Sequence, residues 1–176
     1  MKKYILCLFI LFNASVSQAS DIGKINFFDK SRAVSKVSFY NWQNNEVNID
    51  DFKNKFVILN IWSKSCAPCI AELPELDKLQ KKLKSNNIKV ITLSPDSKNI
   101  TYLNKLFFKW RLSNLYPYLD KNGRFAAAVG QINFPTTLFI NQDGDEIGRL
   151  LGVIDWNKEE NVDFFIKLSD KNRKNK

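Results

Sequence analysis

Phe56-Val57-Ile58-Leu59-Asn60-Ile61-Trp62-Ser63-Lys64-Ser65-Cys66-Ala67-Pro68-Cys69 is the stretch on which the fold turns. Its first seven residues form a nearly continuous apolar run, the pattern of a strand buried on both faces of a parallel sheet. Helical periodicity follows at once. From Ala67 to about Lys84, Ile70, Leu73, Leu76, Leu79 and Leu83 recur at helical spacing with lysines opposite. Cys66 therefore stands at a helix N-terminus, where exposed N–H groups and the helix dipole favour a thiolate over a thiol. Thiolate is the attacking species in disulfide exchange, and Cys69, three residues on, can resolve the mixed disulfide.

Metal ligation and an inert cross-link are the competing readings of this C-x-x-C. Zinc sites take four Cys or His ligands, and the chain has no histidine and no second C-x-x-C. Haem attachment needs a histidine where Ile70 stands. A disulfide closing so short a loop constrains the unfolded chain little. Cu(I) held by two soft thiolates stays open as the alternative function. Redox exchange is the reading adopted, with no bound cofactor and no resident metal.

Outward from this stretch, Ile88 to Leu93 reads as a second buried strand, completing a β-α-β unit. Asn99 to Trp110 reads as a helix, Tyr116 to Leu119 as extended, and Phe125 to Val129 as a short Ala-rich helix. Phe134 to Ile140 is a strand introduced by Pro135, and Asn141-Gln142-Asp143-Gly144 turns it back into Glu146 to Leu151. A final amphipathic helix is expected over Asp155 to Ser169. Upstream, Val37 to Tyr40 and Glu46 to Ile49 flank a polar turn and read as an N-terminal β-hairpin. The expected class is α/β: a central mixed sheet flanked by helices. Residues 37–169 are expected to form the one folded domain, with 20–36 loosely structured and 170–176 a basic tail.

At the start of the chain, Lys2 and Lys3 precede an apolar run, Tyr4 to Phe12, and Ser17-Gln18-Ala19 supplies the small residues of a cleavage site. Residues 1–19 are expected to be a signal peptide. Retention as an anchor through residues 4–19 is the alternative, and the run falls short of the ~20 residues that span a bilayer comfortably. Either way the location is periplasmic or otherwise extracytoplasmic. With 44% hydrophobic and 13% aromatic residues among 176, one core is affordable. The net charge of +9 comes from lysines spread along the chain, without the basic stripe and binding motif that nucleic-acid recognition requires.

Strand, C-x-x-C helix and X-Pro-Thr strand in this order resemble the thioredoxin superfamily, and more closely its exported TlpA/ResA/CcmG-type thiol-disulfide oxidoreductases. Phe56 to Cys69 matches the family's strand and active-site loop, Glu72-Leu73-Pro74 the acid and proline that follow, Phe134-Pro135-Thr136-Thr137 the proline loop, and Asn141 to Gly148 the hairpin beyond it. Ser65 departs from the pattern, since the family commonly has Trp there. No long helical insert precedes the proline loop, unlike DsbA-type oxidases, and Sco-type copper chaperones use a histidine that this chain lacks.

The resemblance implies roles residue by residue. Cys66 is the nucleophile and Cys69 the resolver, with Pro68 shaping the loop between them. Pro135 is cis and presents the Phe134–Thr136 backbone to a partner peptide, with Phe134 reading specificity. Glu72, one helical turn beyond Cys69, is a buried acid that exchanges a proton with it; a surface glutamate favoured by the helix dipole is the other reading. Activity is expected to be reduction of cysteine-containing exported proteins, apocytochrome c or copper-site proteins among them, by a monomer fed from a membrane electron donor.

Overall fold

The computed structural model describes residues 21–96, 99–131 and 133–174. Residues 1–19, read above as a leader, lie outside them. Among the described residues eight strands form one mixed sheet: β1 (Asn26–Ala33), β2 (Phe39–Tyr40), β3 (Glu46–Val47), β4 (Phe56–Ile61), β5 (Ile88–Ser94), β6 (Pro117–Leu119), β7 (Thr136–Ile140) and β8 (Asp145–Leu151). Their spatial order is β1-β8-β7-β4-β5-β6-β2-β3. β4, β5 and β6 run parallel, β7 lies antiparallel beside β4, and β8 lies antiparallel beside β7. Four α-helices accompany them in the described residues: α1 (Ala67–Leu83), α2 (Ile100–Lys109), α3 (Arg124–Ala128) and α4 (Glu159–Lys174).

Side-chain alternation along β4 divides the core into two layers. Phe56, Ile58 and Trp62 point towards α1, α2 and α4, where they meet Leu73, Leu76, Leu103, Phe107 and Phe165. Val57, Leu59 and Ile61 point the other way, to Phe39, Phe125 and Leu138. Every residue of β4 is buried, which accounts for its unbroken apolar run. Asn60 shares the parity of Ile58 and Trp62, so its amide lies on the α1 side.

Three expectations are corrected. Much of segment 20–36, expected to be loosely structured, is ordered: Asn26–Ala33 is a strand paired with β8, held by Phe27 against Phe139 and Phe164. The folded unit therefore begins before Val37. The upstream hairpin is reduced to two residues a side, Phe39–Tyr40 against Glu46–Val47, and it is preceded by β1. Finally, α4 starts at Glu159 and runs to Lys174, so most of the 170–176 tail is helical. Asp155 ends its predicted first turn early, because its Oδ1 accepts from Asn157 N and Lys158 N in a side-chain-capped turn.

Candidate active site

The chain leaves β4 through a tight turn. Trp62 N still donates to Leu93 O (3.0 Å), and Cys66 N then donates back to Ser63 O (3.1 Å). α1 starts at once, with Cys66 as its N-cap and Pro68 in the first turn, where a missing N–H costs nothing. Cys66 Sγ accepts from Cys69 N at 3.2 Å. The two cysteines are joined in a disulfide with Cα atoms 5.3 Å apart. They differ in access: Cys66 is half-buried and Cys69 fully buried. An incoming sulfur can therefore reach Cys66 first. Pro68 is exposed, and Lys64 reaches over the Tyr102 ring (5.6 Å).

One turn deeper in α1, Glu72 is buried, at 5% exposure. Its Oε1 accepts from Asn60 Nδ2 (2.8 Å) and its Oε2 from Trp156 Nε1 (2.8 Å). Both donors favour the carboxylate, but removal from water outweighs them and pushes the pKa from 4.5 up to about 7. Asn60 Nδ2 also donates to Thr137 Oγ1 (3.1 Å), tying the acid to β7.

The proline loop occupies the same end of the sheet, since Thr136 pairs with Ile61, the last residue of β4. The Phe134–Pro135 bond is cis. Pro135 is buried, and its carbonyl accepts from Gly152 N (2.9 Å). Thr136 is also buried and its hydroxyl donates to Asn133 O (2.7 Å), so its side chain is committed within the loop. Phe134 is 39% exposed and turned towards solvent.

Two contributors escaped the sequence reading. Trp156 reaches Glu72 from 84 positions away, and no local pattern foretells that contact. Asp96, just past β5, accepts from Ser63 Oγ and Lys64 N in the loop before Cys66. A polar residue at the end of a central parallel strand was the available signal, because such strand ends carry the sites of open α/β sheets.

Comparison with known proteins agrees with this geometry. The Redoxin family matches residues 30–173. The thiol-disulfide oxidoreductase ResA of Bacillus thuringiensis subsp. konkukian is 31% identical over 124 residues, covering 70% of this chain and 69% of that protein. The chain belongs to the Redoxin family and is a thiol-disulfide oxidoreductase. Solved structures carry the fold alone. A secreted thiol-disulfide isomerase from Corynebacterium glutamicum aligns at TM-score 0.69 and 20% identity, over 86% of this chain and 95% of that one. The exposed lipoprotein thioredoxin Etrx1 of Streptococcus pneumoniae aligns at 0.64 and 20%, over 76% and 99%. The fold of the oxidoreductase is thioredoxin-like.

Proposed function

We propose that this oxidoreductase acts outside the cytoplasm as a reductant of cysteine-containing exported proteins, apocytochrome c or copper-site proteins among them. The observation that carries this reading is the unequal access of the two sulfurs above a buried acid: Cys66 half-buried, Cys69 enclosed, Glu72 one turn deeper. The leader-like residues 1–19 support the location, as does the secreted or exposed character of the two structural neighbours.

In the reduced protein, the Cys66 thiolate attacks one sulfur of the partner's disulfide. That bond breaks, the first partner thiolate leaves, and a mixed disulfide forms. Cys69 then loses its proton, with Glu72 as the acceptor, and attacks the Cys66 sulfur. The Cys66–Cys69 bond forms, the second partner thiolate leaves, and two electrons have passed to the partner. The departing thiolates are reprotonated from solvent. A membrane dithiol donor returns the two electrons. Phe134 and Pro68 border the groove in which the partner strand lies.

Cys69→Ser expressed in intact cells tests the reading. It should accumulate mixed disulfides through Cys66 with exported proteins bearing paired cysteines. Capture through Cys69 in Cys66→Ser would reverse the roles. A reduction potential of the wild type near the ~−120 mV of a strong oxidant would overturn the direction.

A further inference from the structure

Ser65, the residue before the nucleophile, is an oriented hydrogen-bond acceptor whose direction is set by Asp96. Asp96 Oδ1 accepts from Ser94 Oγ (2.7 Å), and its Oδ2 accepts from Ser63 Oγ (2.7 Å) and Lys64 N (3.1 Å). A carboxylate has no proton to give, so the Ser63 hydroxyl proton must point at Asp96. Ser63 Oγ then has only its lone pairs left. One accepts from Ser65 N (3.1 Å). The other faces Ser65 Oγ at 2.7 Å, a pair whose direction the heavy atoms alone leave open. With the Ser63 proton already placed, only Ser65 can be the donor in that pair.

Ser65 Oγ is left with no proton to offer outward. It keeps both lone pairs, and it is exposed beside half-buried Cys66, whereas Ser63 and Ser94 are buried. Among the described residues no donor is directed at it. The clamp also reaches the nucleophile through the main chain, because Ser63 O accepts from Cys66 N.

We propose that Ser65 is a partner-binding residue of the oxidoreductase that favours peptide disulfides over disulfides without a donor, accepting a hydrogen bond from a main-chain N–H next to the partner's reactive cysteine, and that Asp96 is the positioning residue that fixes its polarity. A main-chain N–H is the one donor that every peptide partner carries beside its cysteine. Where relatives of this type commonly place an aromatic face before the first cysteine, this chain offers a polar acceptor.

The test compares two disulfides with the purified, reduced protein: a short peptide disulfide, and 4,4′-dithiodipyridine, which has no hydrogen-bond donor. Ser65→Ala should lower the ratio of peptide to dithiodipyridine rate constants about three- to tenfold, the range for losing one neutral hydrogen bond. Asp96→Asn, which can donate to Ser63 and so reverse the chain of hydroxyls, should lower the same ratio. Peptides N-methylated in turn at the positions flanking cysteine should include one that the wild type exchanges more slowly and Ser65→Ala does not distinguish. A ratio unchanged within about twofold in Ser65→Ala would overturn the proposal. So would equal losses on both disulfides, which would mark Ser65 as a loop-shaping residue only. So would indifference of the wild type to every N-methyl group. If Asp96→Asn does not fold, Ser65→Ala and the methylated series still decide. Loss of exchange with dithiodipyridine itself would instead count against the dithiol activity.

Discussion

Trp156 Nε1 donates to Glu72 Oε2 at 2.8 Å, so the loop ahead of α4 grips the acid that lies one turn below the disulfide. Trp156 is fully buried and packs on Phe165, and this placement holds its indole N–H in a fixed direction. Glu72 is thus bracketed by β4 through Asn60 and by the α4 approach through Trp156. The acid is raised in pKa by burial while remaining fully hydrogen-bonded in its charged form. Such a group can accept a proton near neutrality without leaving its place.

Glu72 makes stability pH-dependent in a defined window. The folded protein keeps the Glu72 proton to about pH 7, whereas an unfolded chain releases it near 4.5. Between these values the folded state binds more protons, so this contribution to stability falls as pH rises, by up to ~1.4 kcal/mol per pH unit, and levels off above the folded value. Glu72→Gln should remove the decline. Urea unfolding of the oxidised wild type and variant across this window checks it, and parallel curves would return Glu72 to ordinary behaviour.

Trp156→Phe keeps an aromatic plug but deletes the donor. The carboxylate loses one of two bonds that favour its charge, so the Glu72 pKa should rise above about 7. Leaving the buried oxygen unsatisfied should cost about 1–3 kcal/mol, felt most where Glu72 is ionised. Carbon NMR titration of labelled glutamate in the oxidised protein reads the shift directly. A midpoint unmoved or lowered would contradict the role given to the indole.

Cys66 in Cys69→Ser should titrate below the ~8.5 of a free thiol, because it caps α1 and its sulfur accepts from the N–H of residue 69 at the positive end of the helix. Ultraviolet thiolate absorbance followed against pH measures it. A value at or above that of free cysteine would remove the electrostatic case for Cys66 as nucleophile.

Gly148→Ala probes how β1 is attached. A Cβ at position 148 would meet Phe27 Cδ1 at 2.7 Å and Asn26 O at 3.1 Å, so both the ring and the β1 backbone must move. A destabilisation of about 1–3 kcal/mol is expected, the usual range for overpacking. Amide exchange should show the loss of protection concentrated in Asn26–Ala33. Full protection of that strand in the variant would show that β1 adapts freely.

The site and its scaffold were legible where periodicity and chemistry coincide. The all-buried β4, the stripe of α1 and the C-x-x-C between them leave strong local signals; helical spacing puts Glu72 one turn beyond Cys69, and its reading as a buried acid comes from the family resemblance. β1 left none: only Phe28 along its length is partly buried, so neither alternation nor an apolar run marks it. Trp156 fits the amphipathic pattern of α4 but lies before the helix, and its partner is 84 residues away. The end of α4 was obscured for the opposite reason. Its last residues have no apolar period, and local ties such as Asn172 Nδ2 to Leu168 O and Arg173 to Asp170 accompany the helix there.

The sheet's two outer strands bear on aggregation. A long, flat, unpaired strand invites a further chain to add to it. β3, at one side, is two residues long. β1, at the other, carries Asp29, Lys30 and Arg32 and is broken by a register shift between Phe27 and Arg32. Neither margin offers a straight template, so cross-β growth is blocked at both ends of the sheet by brevity on one side and by charge and irregularity on the other.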